Sequence, residues 1–344
     1  DYIKDLPPTL SRVTAHQLLS NTSGMRDFAA PFISDDETAL GKMVRSWKDD
    51  LFFTEPGKIY SYSSPGFWLA GFLLEEVGKK PYADEMDELI FKPVGMTRTT
   101  LRPLVAMTYP MSVGHNINAA RRPEVIRPFF NNTAMWPAGS IFSNVGDLSR
   151  FVIALMNGGK VDGKQSLAQA VVSRLPAPHA LLPGDSTASY GYGLMMFDYR
   201  GERVVMHGGF SRGYGSMIQI WPKHRFAVIV LTNRSGEMLA RTRDKAAEVV
   251  LGLKAPAEER AAALPLTEAE MASFAGKYYH DPSVWEVFIK DGKLVLKLDG
   301  VESELKKVGD KRFSFGEGEE IIFVPGASGK IEHLFTGLYS AKKR

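Results

Sequence analysis

The sequence predicts an α+β protein: a mixed helix-and-strand unit over residues 1–252, a linker over 253–267, and a small antiparallel β-barrel over 268–344. Three observations carry this. Capped helix starts with 3.6-residue apolar spacing recur through the first 160 or so residues. Three consecutive strands separated by short turns follow between Val204 and Thr232. Beyond Thr267, short alternating segments are punctuated by Asp-Gly pairs. A chain of 344 residues is long for one average domain and suits a large one followed by a small one.

Taken in order, Thr14-Ala15-His16-Gln17 is a capping box that opens a short helix. Ser34-Asp35-Asp36-Glu37 reads as a second, before a helix with Leu40, Met43, Val44 and Trp47 on one face. Ser64-Pro65 places an N-cap beside a proline at the first helical position. The helix that follows, with Phe67, Leu69, Phe72 and Leu73, is expected to stop at Gly78. Asn144 caps a helix with Leu148, Phe151, Val152 and Leu155 inward and Gly158-Gly159 as its stop. Val204–Met206, Gly215–Trp221 and Phe226–Thr232 read as strands, and Pro222-Lys223-His224-Arg225 is the turn that makes the last two antiparallel. The run from Lys254 to Arg260 and the Ala/Pro stretch after it read as a partly helical linker. Turns at Asp291-Gly292, Asp299-Gly300, Gly309-Asp310 and Gly326–Gly329 then divide six to eight short strands.

Composition removes several function classes. A net charge of +3 gives no electrostatic footprint for nucleic acid or a membrane surface. With no cysteine there is no disulfide, thiolate zinc site or cysteine nucleophile. The seven histidines lack any H-E-x-x-H or paired spacing, and no glycine-rich loop has phosphate- or dinucleotide-binding context, so neither metal nor cofactor is expected. No run of about 18 apolar residues occurs. The chain opens on Asp1-Tyr2-Ile3-Lys4 with no signal-peptide pattern, so this end does not report a location.

Two clusters could carry chemistry. In the first, a Pro56-Gly57 turn leads to Tyr60-Ser61-Tyr62-Ser63-Ser64 just before a helix N-terminus. The positive field there would favour a phenolate at Tyr62; a core tyrosine with a satisfied hydroxyl is the alternative. In the second, His207-Gly208-Gly209-Phe210-Ser211-Arg212-Gly213 strips side chains from a strand edge and lets a ligand approach backbone N–H groups. A bulge or tight turn with His207 packed beside it reads equally well.

These segments resemble motifs of the serine β-lactamase/penicillin-binding-protein-like hydrolase family, which includes class C β-lactamase-related esterases and D-aminopeptidase-like peptidases. His207-Gly208-Gly209 resembles the family's Lys-Thr-Gly strand motif in its His-x-Gly form. Tyr62-Ser63-Ser64 resembles its Tyr-x-Asn motif. Leu18–Met25, Phe91–Thr97 and Ala138-Gly139-Ser140 with Ser143 and Asp147-Leu148 resemble three framework segments, in the right order.

The resemblance implies a β-lactamase-like fold, an antiparallel sheet flanked by helices plus a helical subdomain, and an acyl-enzyme mechanism on an ester, amide or short peptide, D-amino-acid peptides included. It implies Tyr62 as general base and acid, His207 beside it, and the Phe210 N–H as half of an oxyanion hole after Gly208 and Gly209. Ser64 stands where the family has Asn, both as a substrate contact and as the helix N-cap. Trp136 and Tyr190 become candidate cleft walls, with core packing as the alternative. The last 77 residues, opening with Phe274-Ala275-Gly276-Lys277-Tyr278-Tyr279, resemble the lipocalin-like domain that follows some members. A periplasmic or secreted location and a homo-oligomer are further implications.

One departure is large. The family's nucleophile is the Ser of a Ser-x-x-Lys helix start before the tyrosine. No such spacing precedes Tyr62. Ser303-Glu304-Leu305-Lys306 and Ser340-Ala341-Lys342-Lys343 fall in the β-rich region, where i and i+3 point to opposite faces. The expectation is that an upstream segment or a second chain carries the nucleophile, acting on a small-molecule or peptide substrate. A non-catalytic binding relative is one rival. The other is an α/β-hydrolase-type esterase using Ser211 in Gly209-Phe210-Ser211-Arg212-Gly213, which requires a helix directly after the turn.

Overall fold

The structure is a computed structural model and describes all residues except 1, 31–32, 255–261, 281, 299 and 317–318. Residues 255–261 of the expected linker therefore lie outside the described residues.

The helical unit forms around α1 (Ala15–Leu19), α2 (Ala39–Arg45) and α3 (Ser64–Gly78). The Thr14/Gln17 capping box that starts α1 is present in both directions. Leu18, Leu40, Met43, Val44, Trp68, Leu69 and Phe72 interlock as one buried cluster, as the helical periodicity requires. Two local expectations need correction. Ser34 does not cap α2: its hydroxyl accepts from the Asp36 N–H, and Asp36 in turn accepts from the Thr38 N–H at 2.9 Å. Glu37, the residue that would complete the box, instead accepts both arms of the Arg102 guanidinium at 2.7 Å. At α3 the cap is Ser63, whose hydroxyl accepts from the Gly66 N–H, so Ser64 is the first helical residue. α3 does end at Gly78, but Lys79 takes the left-handed conformation. Gly78 is needed for space, since a Cβ there would meet the Glu85 carboxylate at 1.7 Å.

The antiparallel sheet has six strands: β1 (Ala180–Leu182), β2 (Asp185–Tyr190), β3 (Met195–Tyr199), β4 (Glu202–Ser211), β5 (Tyr214–Trp221) and β6 (Phe226–Thr232), in spatial order β6-β5-β4-β3-β2-β1. Helix Val145–Met156, capped by Asn144 as expected, covers one face, where Val152 packs with Met196, Val205 and Ile220. Helix Ala240–Leu251 covers the other, where Ala247 packs with Val204 and Trp221. Neighbouring Val204 and Val205 thus serve opposite cores, the period-2 alternation of a strand buried on both faces.

The C-terminal unit opens with helix Glu268–Phe274, started by a Thr267/Glu270 capping box. It continues as nine antiparallel strands: β7 (Gly276–His280), β8 (Ser283–Lys290), β9 (Lys293–Leu298), β10 (Val301–Glu304), β11 (Lys306–Lys307), β12 (Arg312–Phe315), β13 (Glu319–Pro325), β14 (Ile331–Phe335) and β15 (Ser340–Lys343). The order is β10-β9-β8-β7-β15-β14-β13-β12-β11. The count exceeds the expected six to eight, and buried Leu305 stands between β10 and β11. β10 pairs with β9 and β11 with β12, so the segment 301–307 steps from one end of the sheet to the other and nearly closes it into a barrel. The Asp291-Gly292 hairpin forms with both residues at positive φ. Asp299, of the second expected pair, lies outside the described residues. Phe274, Phe313 and Phe323 pack together in the interior, edge-on or tilted, with ring centroids 4.5–5.3 Å apart. The inside of the barrel is a packed apolar core.

Candidate active site

The site forms where β4 outruns its neighbour. β3 pairs with β4 only as far as Met195↔Met206. From His207 to Ser211, β4 is paired on one side alone, with β5. This leaves a free strand edge at His207-Gly208-Gly209-Phe210, and Phe210 is 77% exposed there. The glycines also answer to their own neighbours: a Cβ at Gly209 would lie 2.3 Å from Ser216 Oγ, and one at Gly208 2.9 Å from Met238 Sδ.

Tyr62 reaches this edge from the extended segment before α3. Its ring centroid lies 6.4 Å from that of His207. The Tyr190 hydroxyl is 3.4 Å from His207 Nε2, which makes Tyr190 part of the same aromatic cluster. Ser64 enters through the first turn of α3, with its side chain toward the Tyr62 phenol. The sequence-derived set, Tyr62, Ser64, His207, Gly208, Gly209 and Phe210, is therefore assembled in one place from α3's N-terminus and the end of β4. Trp136 is not a cleft wall: it is buried with Ala83 and Leu101, and its indole N–H donates to Asn131 Oδ1.

The electrostatics differ from the sequence expectation. Burial, and after it the Asp27 carboxylate, push the Tyr62 phenol above its ordinary value; the Ser64 side chain works the other way. The helix-terminus field that would favour phenolate does not win, so Tyr62 is protonated at neutral pH. Burial also holds His207 below the usual imidazole range, against a hydrogen bond at the Gly208 backbone, so it is neutral.

The barrel supplies a wall of this site that the sequence did not reveal. The Tyr62 N–H donates to the Leu338 carbonyl at 3.0 Å. The Ser340 hydroxyl donates to the Tyr60 carbonyl at 2.7 Å, and the Ser340 N–H donates to Ser61 Oγ at 3.0 Å. Tyr339 sets its ring edge-on to Tyr62 at 6.4 Å, and its hydroxyl donates to Asp27 at 3.0 Å. The other Asp27 oxygen accepts the Ser64 N–H at 2.7 Å. No local pattern signals contacts between residues 276 to 312 positions apart; only the composition of the turn, Thr336-Gly337-Leu338-Tyr339, marks it as a loop.

Two other sequence features resolve. Ser211 ends β4 and is followed by the two-residue turn Arg212-Gly213 and then β5, so the nucleophile-elbow reading lacks its helix. Ser340 of the chance Ser-x-x-Lys is fully buried, with its hydroxyl committed to Tyr60. Among the described residues, no group of three or more His, Asp or Glu is placed to hold a metal ion.

The fold is that of penicillin-binding-protein-like hydrolases, and the comparisons place the chain among them. The Beta-lactamase family model matches residues 1–252, and the chain belongs to that family. Protein flp of Staphylococcus aureus (strain N315) is 24% identical over 233 residues, covering 67% of this chain and 45% of its own length. The chain thus spans about half the length of the curated relatives it matches. The crystal structure of SurE superimposes with a TM-score of 0.75 at 19% identity, covering 97% of this chain and 80% of that one. The D-amino acid amidase from Ochrobactrum anthropi SV3, complexed with L-phenylalanine amide, gives a TM-score of 0.54 at 25% identity, covering 67% of each chain. SurE matches across both units; the amidase covers only two thirds.

Proposed function

We propose that this protein is an acyl-transferring serine hydrolase acting on an ester, amide or short peptide, D-amino-acid peptides included, with its nucleophile supplied by a segment outside residues 1–344. The observation that carries the reading is the meeting of Tyr62 and His207 at the free end of β4. In this reading a serine hydroxyl enters between the phenol and the exposed strand edge. It attacks the substrate carbonyl while Tyr62 takes its proton and later returns it to the leaving group. The Phe210 N–H is one donor to the developing oxyanion. His207, neutral and backed by Tyr190, lines the site and orients the substrate carbonyl or the phenol.

The protonated state of Tyr62 supports a contribution from elsewhere. A phenol raised by burial and by Asp27 needs a nearby cation to act as a base. A lysine one turn after the incoming serine would supply it.

The test is intact-mass spectrometry of the isolated protein before and after a fluorophosphonate probe. One adduct on a companion fragment, or on a species heavier than 38.0 kDa, supports the reading. A lone 38.0 kDa species that takes no adduct refutes it in favour of a non-catalytic relative.

A further inference from the structure

A cavity of about 360 Å³ lies between the barrel and the helical unit, lined by Asp27, His280, Trp285, Leu298, Thr336 and Tyr339 among others. None of the β4-edge residues His207–Phe210 lines it, and the mechanism above places no substrate group in it.

Its chemistry is specific. The Asp27 carboxylate accepts two neutral hydrogen bonds, from the Ser64 N–H and the Tyr339 hydroxyl. Among the described residues no Lys or Arg lies within ion-pair distance of it, and none lines the cavity. Arg26, next in the chain, turns onto Phe28, with its guanidinium carbon 5.9 Å from the ring centroid. His280 brings no cation either. Its Nε2 accepts the Asp27 N–H at 3.1 Å, which requires that nitrogen to be unprotonated, and its Nδ1 is 2.8 Å from the Ser340 carbonyl. A carboxylate without a counter-charge, beside the rings of Trp285 and Tyr339, attracts a desolvated cation through both charge and ring quadrupoles. Leu298 adds an apolar surface, and the volume suits a small organic ligand.

We propose that this cavity binds the ammonium group of a primary amine bearing a small apolar or aryl substituent, and that it is the subsite for the amino end of the acyl substrate. The second half rests on the hydrolase reading. The link to the site is through shared residues. Asp27 holds the backbone of Ser64, whose side chain meets the Tyr62 phenol. Tyr339 touches Asp27 with its hydroxyl and Tyr62 with its ring. A bound ammonium offsets the carboxylate that also disfavours phenolate at Tyr62, so occupancy and base strength rise together.

Isothermal titration of the full chain with benzylamine and with N-acetylbenzylamine tests the site. The amine is expected to bind at least roughly tenfold more tightly than the uncharged amide, the usual weight of a charge-assisted hydrogen bond. Asp27→Asn is expected to erase that difference while leaving the amide's affinity unchanged. Trp285→Leu, which keeps the carboxylate, is expected to weaken the amine several-fold and decides the matter if Asp27→Asn does not fold. Equal affinities, no saturable binding, or a preference that survives Asp27→Asn overturns the proposal. Probe labelling reads the nucleophile independently. An adduct without amine binding removes the subsite alone, and amine binding without an adduct removes the hydrolase alone.

Discussion

Ser340→Ala isolates the grip of the barrel on the site. Ser340 is fully buried, and the substitution removes one donor, the hydroxyl that meets the Tyr60 carbonyl at 2.7 Å. It leaves the Ser340 N–H to Ser61 Oγ bond in place. Only an oxygen is lost, so the cavity is small, and the cost is that of a buried carbonyl left without its partner, about 1–3 kcal/mol. The adjacent Tyr62 N–H is bonded across the same junction to Leu338. If undocking of the barrel is what frees that amide, its hydrogen exchange should accelerate roughly 5- to 150-fold, the same free energy expressed as an opening equilibrium. The assay is native-state exchange resolved at Tyr62. Ser328→Ala, in the exposed β13–β14 turn, serves as a control expected to stay within about 0.5 kcal/mol of the parent. Exchange at Tyr62 unchanged within about twofold, in a protein of unaltered fold, would show that this junction does not hold the barrel against the site.

On the proposed hydrolase reading, Tyr62→Phe should lower ester turnover by about 10²-fold, the usual worth of a general base, and near-normal turnover would remove Tyr62 from that role. Stability should fall on acidification. Burial holds His207 and His333 below the ordinary imidazole value, so between that value and the lower folded ones the unfolded chain binds more protons. The melting temperature should therefore drop between about pH 7.5 and about pH 5.5, starting in the ordinary imidazole range. His207→Gln should flatten that dependence, and an unchanged slope would mean that His207 does not titrate across it.

What the sequence made legible follows from the range of the interactions. The Thr14 and Asn144 caps, the antiparallel β5-β6 pair and the Asp291-Gly292 hairpin depend on neighbours a few positions apart, and all form as read. The pairing of Tyr62 with His207 was legible through motif resemblance, because no local rule joins residues 145 apart. Ser34 failed as a cap because Glu37 had a better partner in Arg102, 65 residues away. The phenolate expectation failed for a similar reason: the helix terminus was visible, but the burial of Tyr62 and the nearness of Asp27 were not. The contribution of the barrel was invisible for the same cause, since Tyr339 and Ser340 find their partners some 280 to 312 residues upstream.

The junction between barrel and site has an evolutionary corollary. Two main-chain groups of the Tyr60–Tyr62 segment, a carbonyl and an amide, are satisfied by a different structural unit. The barrel is therefore not a detachable cargo module. A descendant that shed it would have to recruit a new donor and a new acceptor at those two atoms before its tyrosine could be held in place again, so loss of the unit and remodelling of the Tyr60–Tyr62 segment should occur as one event in the history of such chains.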